Sequence, residues 1–291
     1  MPTIAGMDHT VFTAVVADPN GLEDALDAAG FTAYALVSRA DGGHDLTLYG
    51  PADGLPDAVR QALRGLGIAV RGGALASTAD LLRGHLPEAA IELAPGWWVD
   101  PRGRLGADHP GKILRVPPGT AFGDGHHPST RMAARRLLEL AKRDGNAWSG
   151  RRVLDLGCGS GVLGLVAALS GSGPVDLTDL DPEAVAAADA LLTAHGVHDH
   201  RAAVADLLTG LPGQRYDLLI ANLYADLVVE ILADPRLADL LPSGRLVLSG
   251  IAAAKRAMVE AALDQAGFTC LSSDEEAWWC CLVAERSRPT V

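Results

Sequence analysis

Four groups of residues in this 291-residue chain have types and spacing suited to chemistry. The first is Asp155-Leu156-Gly157-Cys158-Gly159-Ser160-Gly161. Glycines so placed permit a tight turn and let a ligand approach the backbone closely. The spacing G-x-G-x-G differs from the G-x-G-x-x-G of a pyrophosphate site. An acid beside the loop suits a ligand with a cationic amine and repels a diphosphate. S-adenosylmethionine has that amine and no phosphate. The second group is Asp179, 22 residues after Gly157, where a carboxylate can accept both hydroxyls of a ribose. Asp181 precedes Pro182 and suits a helix cap instead. Asp206 follows the next strand and can either reach an adenine amino group or cap Leu207–Leu211.

The third group is Ala221-Asn222-Leu223-Tyr224. An Asn at the carboxyl end of a strand faces the crevice where ligands bind. Its side-chain oxygen can accept a hydrogen bond from a nucleophilic amine and aim the nitrogen lone pair at a methyl group. A turn-forming Asn is the alternative. The fourth group, Phe122-Gly123-Asp124-Gly125-His126-His127-Pro128-Ser129-Thr130, is the most specific. Pro128 suits a first helical turn, and Ser129 or Thr130 can satisfy free amides there. That positive helix end suits the carboxylate of the cofactor's methionine part. His126 and His127 are the nearby imidazoles and so the candidate bases of that kind. Cys158 reads as a small packing residue. His195, His198 and His200 read as a solvated helix end rather than a metal site, and no metal site is expected.

These groups need elements to hold them. From Pro128 onward strands and helices alternate. Strands are predicted over 151–157, 174–180, 202–205, 216–222 and 244–250. Helices are predicted over 128–143, 161–171, 182–196, 225–234 and 252–267. The almost wholly apolar Tyr216–Asn222 suits a strand buried on both faces. Strands over 268–273 and 278–285, joined by an acidic turn, are expected to be antiparallel. The pattern is an α/β, doubly wound, Rossmann-like seven-stranded sheet with an antiparallel C-terminal hairpin. Such a hairpin separates methyltransferase sheets from most dinucleotide-binding ones.

The front of the chain reads differently. Strands over 11–17, 31–39, 45–50 and 68–72 alternate with helices over 21–30, the first capped by Asn20, and 55–67. Asp41-Gly42-Gly43 forms a turn. The order β-α-β-β-α-β is ferredoxin-like. The expected domains are a small α+β ferredoxin-like unit at 1–75, a linker at 76–120 with short strands at 97–99 and 112–116, and the catalytic domain at 121–291.

Composition removes several function classes. The net charge of −12 repels a phosphate backbone, so direct nucleic-acid binding is not expected. Residues 1–100 hold 13 acids against five Arg and no Lys, a charge of −8, which favours a basic protein partner. No apolar stretch approaches the ~18 residues of a membrane span. The N-terminus lacks the features of a secretory signal. Four cysteines show no C-x-x-C pair, which fits a reducing cytoplasm.

With these residues assembled, the chain resembles the PrmA family of ribosomal protein L11 methyltransferases. That family has Phe-Gly-Thr-Gly-x-His-Pro-Thr-Thr, Asp-x-Gly-Cys-Gly-Ser-Gly, Asp-x-Asp-Pro and Ala-Asn-(Ile/Leu). Here these stand at Phe122–Thr130, Asp155–Gly161, Asp179–Pro182 and Ala221–Leu223. The resemblance covers about 110–285 and is weaker before 95. It implies S-adenosylmethionine contacts at Thr130, Gly157, Asp179 and Asn222. Gly159, Gly161, Asp206 and Phe122 join them as expected cofactor-binding residues. Asn222 and His127 are the expected catalytic residues, and His127 matches the family's His. The resemblance also implies methylation of lysine side chains or an N-terminal amine. Asp124 departs from the family's Thr and adds a negative charge that can favour a cationic substrate. A different protein lysine or a small amine is the alternative acceptor. A nicotinamide-dependent oxidoreductase and a catalytically silent binding module are the rival classes.

Overall fold

The computed structural model describes residues 9–19, 21–29, 34–38, 43–50, 54–76, 90–117, 123–211 and 213–287. Asn20, Phe122 and the Asp41-Gly42 part of the predicted turn lie outside them. The chain divides into two compact units, Met1–Leu86 and Pro87–Val291.

The first unit runs β1 (His9–Val16), α1 (Leu22–Ala28), β2 (Tyr34–Ser38), β3 (His44–Gly50), α2 (Asp57–Gly65) and β4 (Arg71–Ala76). Its sheet has the order β2-β3-β1-β4, and every pairing is antiparallel. This is the expected β-α-β-β-α-β arrangement. Phe12, Ala14 and Val16 alternate inward on β1, as a strand's two-residue period requires. They meet Leu46 and Leu48 of β3 and the helical residues Leu22, Leu26, Val59 and Leu63. Each such Leu or Val contributes about 1.5–3 kcal/mol when fully buried. Thr13 and Val15 face the other way, and Val15 is 63% exposed. The last strand begins at Arg71 rather than at residue 68. Ile68 and Val70 pack against the core from irregular backbone, which is why their pattern resembled a strand.

The second unit begins with β5 (Ile91–Ala94), β6 (Trp97–Val99) and β7 (Lys112–Leu114). These form a three-stranded sheet, antiparallel between β5 and β6 and parallel between β6 and β7. The stretch expected as a linker is therefore structured over this range. Its Leu93, Val99, Leu114 and Val116 belong to the same core as the catalytic sheet. The strands expected at 97–99 and 112–116 stand as β6 and β7, whereas β5 has no counterpart in the sequence pattern, four residues being too few to show a period.

Next come α3 (Pro128–Asp144), β8 (Val153–Leu156), α4 (Val162–Leu169), β9 (Val175–Asp179), α5 (Pro182–Ala194), β10 (His200–Val204), β11 (Leu218–Asn222) and α6 (Ala225–Ala233). The chain continues through α7 (Arg236–Leu240), β12 (Arg245–Ala252), α8 (Arg256–Gln265), β13 (Phe268–Glu276) and β14 (Trp279–Arg286). The strands form one sheet in the order β10-β9-β8-β11-β12-β14-β13. β8 to β12 pair in parallel, and β14 runs antiparallel to both neighbours. Alternate residues enter two cores, one on each face. Val153, Ile220 and Val247 enter the first, and Leu154, Leu219 and Leu246 the second. This double burial explains the nearly continuous apolar runs. The strand order reverses between β9-β8 and β11-β12, so the crevice for a ligand opens at the carboxyl ends of β8 and β11.

Helix α3 is fastened to the far edge of this sheet by charge. Arg131 donates to Glu276 at 2.7 Å, Arg135 also reaches Glu276, and Arg136 pairs with Asp274. Burial pushes the Glu276 carboxyl up, but the two guanidiniums outweigh it and hold it below the usual range.

Candidate active site

The glycine loop leaves β8 with Gly157, Gly159 and Gly161 all in the left-handed region, at φ 69°, 51° and 80°. Only glycine adopts this conformation without strain. Space is equally restrictive. A Cβ on Gly157 would lie 2.5 Å from the Leu223 side chain, and one on Gly161 would lie 2.7 Å from the Ala188 Cβ. The Thr178 carbonyl accepts from the amides of Gly157 and Cys158 at 2.8 and 2.9 Å. The result is a tight turn packed so closely on Leu223 and Ala188 that neither Gly157 nor Gly161 can carry a side chain.

Asp179 ends β9 beside this loop. Its Oδ2 accepts from the Gly159 amide at 2.9 Å, and its Oδ1 accepts from the Asp181 amide at 3.0 Å. Each oxygen retains a second lone pair. Asp181 caps α5 by accepting from the Glu183 amide at 2.9 Å. The Asp179 carbonyl accepts from Ala205, which brings Asp206 to the same edge. Asp206 is exposed, and its carbonyl closes a turn with Thr209 at 2.8 Å. Residues 207–210 form turns and no helix, so Asp206 has no helix to cap.

Asp155, which the sequence offers to a ligand amine, is only 1% exposed. Its Oδ2 accepts from the Gly164 amide at 2.8 Å and so braces the loop against α4. Burial pushes its pKa up to about 7. Cys158 is buried, and burial with the Asp155 and Asp179 charges pushes its thiol far above the usual range. A thiolate nucleophile is absent from this loop.

The fourth group reaches the same crevice from α3. The Ser160 hydroxyl donates to the Gly123 carbonyl at 2.8 Å, tying the glycine loop to the segment before the helix. His127 is the helix N-cap, and its Nδ1 accepts from the Ser129 amide at 3.3 Å and meets the Ser129 hydroxyl at 2.6 Å. Its ring stacks edge-on against Trp279, with centroids 4.8 Å apart. Burial and then Arg131 lower its pKa to about 4, against a smaller opposing pull from Asp124.

Asn222 ends β11. Its Nδ2 donates to the Thr130 hydroxyl at 3.1 Å, and Thr130 is fully buried. Its Oδ1 is buried and has no hydrogen-bond partner among the described residues. A buried acceptor left unpaired costs about 1–3 kcal/mol, so it marks a place where a donor is expected. Gly250, at φ 77°, is required here, because a Cβ would sit 3.0 Å from that Oδ1 and 2.8 Å from the Leu223 carbonyl. Sequence reasoning passed over the buried support beneath Asn222, where the Ser249 hydroxyl donates to the Ser129 carbonyl at 2.9 Å. The Leu248-Ser249-Gly250-Ile251 run carries the signal, since a polar pair interrupts a buried strand.

The structure thus brings together Thr130, His127, Gly157, Gly159, Gly161, Asp179, Asp206 and Asn222 along one edge of the sheet. The histidine-rich run lies elsewhere. His195 Nε2 accepts from the Arg115 amide at 3.0 Å, and His200 Nε2 lies 3.1 Å from Asp189. No group of three or more potential ligands for a metal occurs among the described residues.

The seven-stranded order with its antiparallel β14, joined to a glycine loop of G-x-G-x-G spacing, is that of a class I S-adenosylmethionine-dependent methyltransferase. A family profile described as "Ribosomal protein L11 methyltransferase (PrmA)" matches residues 92–287. The chain belongs to this family. It is 41% identical over 161 residues to the ribosomal protein L11 methyltransferase of Deinococcus radiodurans, covering 54% of this chain and 56% of the relative. It is 32% identical over 197 residues to that of Thermotoga maritima, covering 68% of this chain and 71% of the relative. A crystal structure of ribosomal protein L11 methylase from Lactobacillus delbrueckii subsp. bulgaricus superposes with a TM-score of 0.59 at 26% identity. That match covers 68% of this chain and 99% of the other. The chain spans 54–59% of the length of the first three curated relatives it matches. No helix among the described residues is long and apolar enough to cross a membrane.

Proposed function

We propose that this chain is an S-adenosylmethionine-dependent N-methyltransferase of protein amines, with ribosomal protein L11 as its acceptor. The observation that carries the reading is the Asn222 amide. Thr130 fixes its nitrogen, and its buried Oδ1 is left to accept from an incoming amine.

The cofactor fits the residues present. The glycine loop turns with positive φ at three positions and presents bare backbone to a ligand, and Asp179 offers free lone pairs for ribose hydroxyls. Asp206 stands one strand further along, where an adenine amino group would need an acceptor. Thr130 serves the site by holding Asn222, and Phe122 is assigned to the cofactor's surroundings from its motif alone. Bound there, S-adenosylmethionine supplies a methyl group made electrophilic by its sulfonium.

The chain's own residues handle the acceptor. A free lysine has pKa ≈ 10.4 and must lose a proton before it can attack. Burial near a cation lowers that value through desolvation and like-charge repulsion. Asn222 Oδ1 accepts an N–H and aims the lone pair, and positioning of this kind supplies much of the rate. His127, neutral at pH 7 and committed to its cap, acts as an anchor for α3. The acidic first 100 residues suit a basic ribosomal protein, and a cytoplasmic location accords with such a substrate.

The test is incubation of the chain with recombinant L11 and methyl-labelled S-adenosylmethionine, followed by mass spectrometry of the labelled protein. Label on lysine or the N-terminal amine of L11 is expected. Calorimetric binding of NAD in place of S-adenosylmethionine would overturn the class. Label confined to another protein would overturn the substrate.

A further inference from the structure

The loop between Gly123 and the helix holds an imidazole that neither the cap nor the asparagine uses. His126 has both ring nitrogens buried, and its Nε2 has no hydrogen-bond partner among the described residues. Its Nδ1 lies 3.2 Å from Asp124 Oδ2. Asp124 Oδ1 also accepts from the His126 amide at 3.0 Å, which fixes the carboxylate beside the ring. The backbone is anchored on both sides. Ser160 holds the Gly123 carbonyl, and Arg131 donates to the His126 carbonyl at 2.5 Å. Three residues beyond the anchored glycine sits His126, and four beyond His126 sits the Thr130 that fixes Asn222. The imidazole therefore stands on the span joining the donor loop to the amine-orienting amide.

A carboxylate on one ring nitrogen and an open, buried second nitrogen are the parts of a general base. We infer that His126, paired with Asp124, takes the proton of the acceptor ammonium before methyl transfer. This inference rests on the proposed amine methylation. In the step, one N–H bond of the ammonium breaks and its electron pair stays on nitrogen. The proton passes to His126 Nε2, giving an imidazolium faced by the Asp124 carboxylate, and leaves later to solvent. Asp124 pairs with the ring, His127 also acts on the Asp124 carboxyl, and Arg131 holds the His126 backbone carbonyl. Burial pushes the Asp124 carboxyl up, but hydrogen bonding and the charge of His126 outweigh it, so it is an anion at neutral pH. Its exposure of 43% leaves room for solvent to receive the proton.

The test compares wild type, His126→Gln and Asp124→Asn in the full chain. Methylation of L11 is measured at pH 7.0 and 9.5, and S-adenosylmethionine binding by calorimetry. At pH 7.0, His126→Gln is expected to lose about 10²-fold in kcat/KM, and Asp124→Asn about tenfold. Both deficits should shrink at least tenfold at pH 9.5, where the free amine becomes common. Cofactor affinity should stay within threefold, which also shows that the variants fold. A deficit equal at both pH values would overturn the proposal. So would a parallel loss of cofactor affinity, which would place His126 in the cofactor's cradle. A wild-type chain that labels no amine would remove the function itself, a result distinct from either.

Discussion

In the N-terminal unit, β1 alternates cleanly over 12–16, with Phe12, Ala14 and Val16 inward and Thr13 and Val15 outward. In the unit from Pro87 onward the alternation of two buried faces stops at the carboxyl ends. There β9 ends on Asp179 and β11 on Asn222, both only partly buried. The first unit needs side chains of suitable size and polarity, and many sequences satisfy that. The second needs particular atoms at particular places. The family profile, which starts at residue 92, follows the same division.

Four variants can break or sharpen this comparison. The largest effect is expected from Asn222→Ala, which should lower methyl transfer to L11 by about 10²–10³-fold. S-adenosylmethionine affinity should change less than about threefold, because truncation removes the amine's acceptor and leaves the cradle. Equal losses in kinetics and calorimetry would sink the division of roles between loop and strand end. Next, Gly157→Ala forces a Cβ against Leu223 at a left-handed φ. A destabilisation of about 2–3 kcal/mol in denaturant melts is expected, with cofactor affinity lowered about tenfold or more.

His127→Asn tests the cap. The His127 pKa falls from 6.5 unfolded to about 4 folded, so the unfolded chain binds more protons between those values. The histidine's contribution is complete above pH 6.5 and is lost as pH falls toward 4. Asn caps without titrating. Wild type should therefore lose about 2 kcal/mol relative to His127→Asn between pH 7 and pH 5. Parallel melting curves for the two proteins would show that the ring is not held neutral. The smallest effect belongs to the first unit. Neutralising the exposed Asp45 and Asp57 together should raise KM for L11 about two- to fivefold at low salt, leave kcat unchanged, and fade near 0.5 M salt. A kcat effect would show that these carboxylates act on the chemical step itself.

Much of this was legible beforehand because local rules and tertiary needs agree. Pro128 and Pro182 mark helix starts that the structure keeps, and Asp181 caps as its position implied. The apolar run through Leu218–Ala221 is the central strand, and Trp279 enters the antiparallel closing strand. What the sequence hid depends on partners distant along the chain. Asp155 looks like a ligand contact until burial places it under Gly164. Residues 91–114 look like a linker because four-residue strands carry almost no period. The short helix α7, at five residues, gave no pattern either. Thr130 looks like a cap, yet its hydroxyl is occupied 92 residues away by Asn222.

The Ser160–Gly123 bond carries one more consequence. Through it, the segment before α3 and the glycine loop become a single mechanical piece. A slack in one must be felt in the other, so the effect of Ser160→Ala combined with Asn222→Ala on methyl transfer should fall short of the sum of the separate penalties, as a hinge pin between the proposed donor and acceptor sites requires.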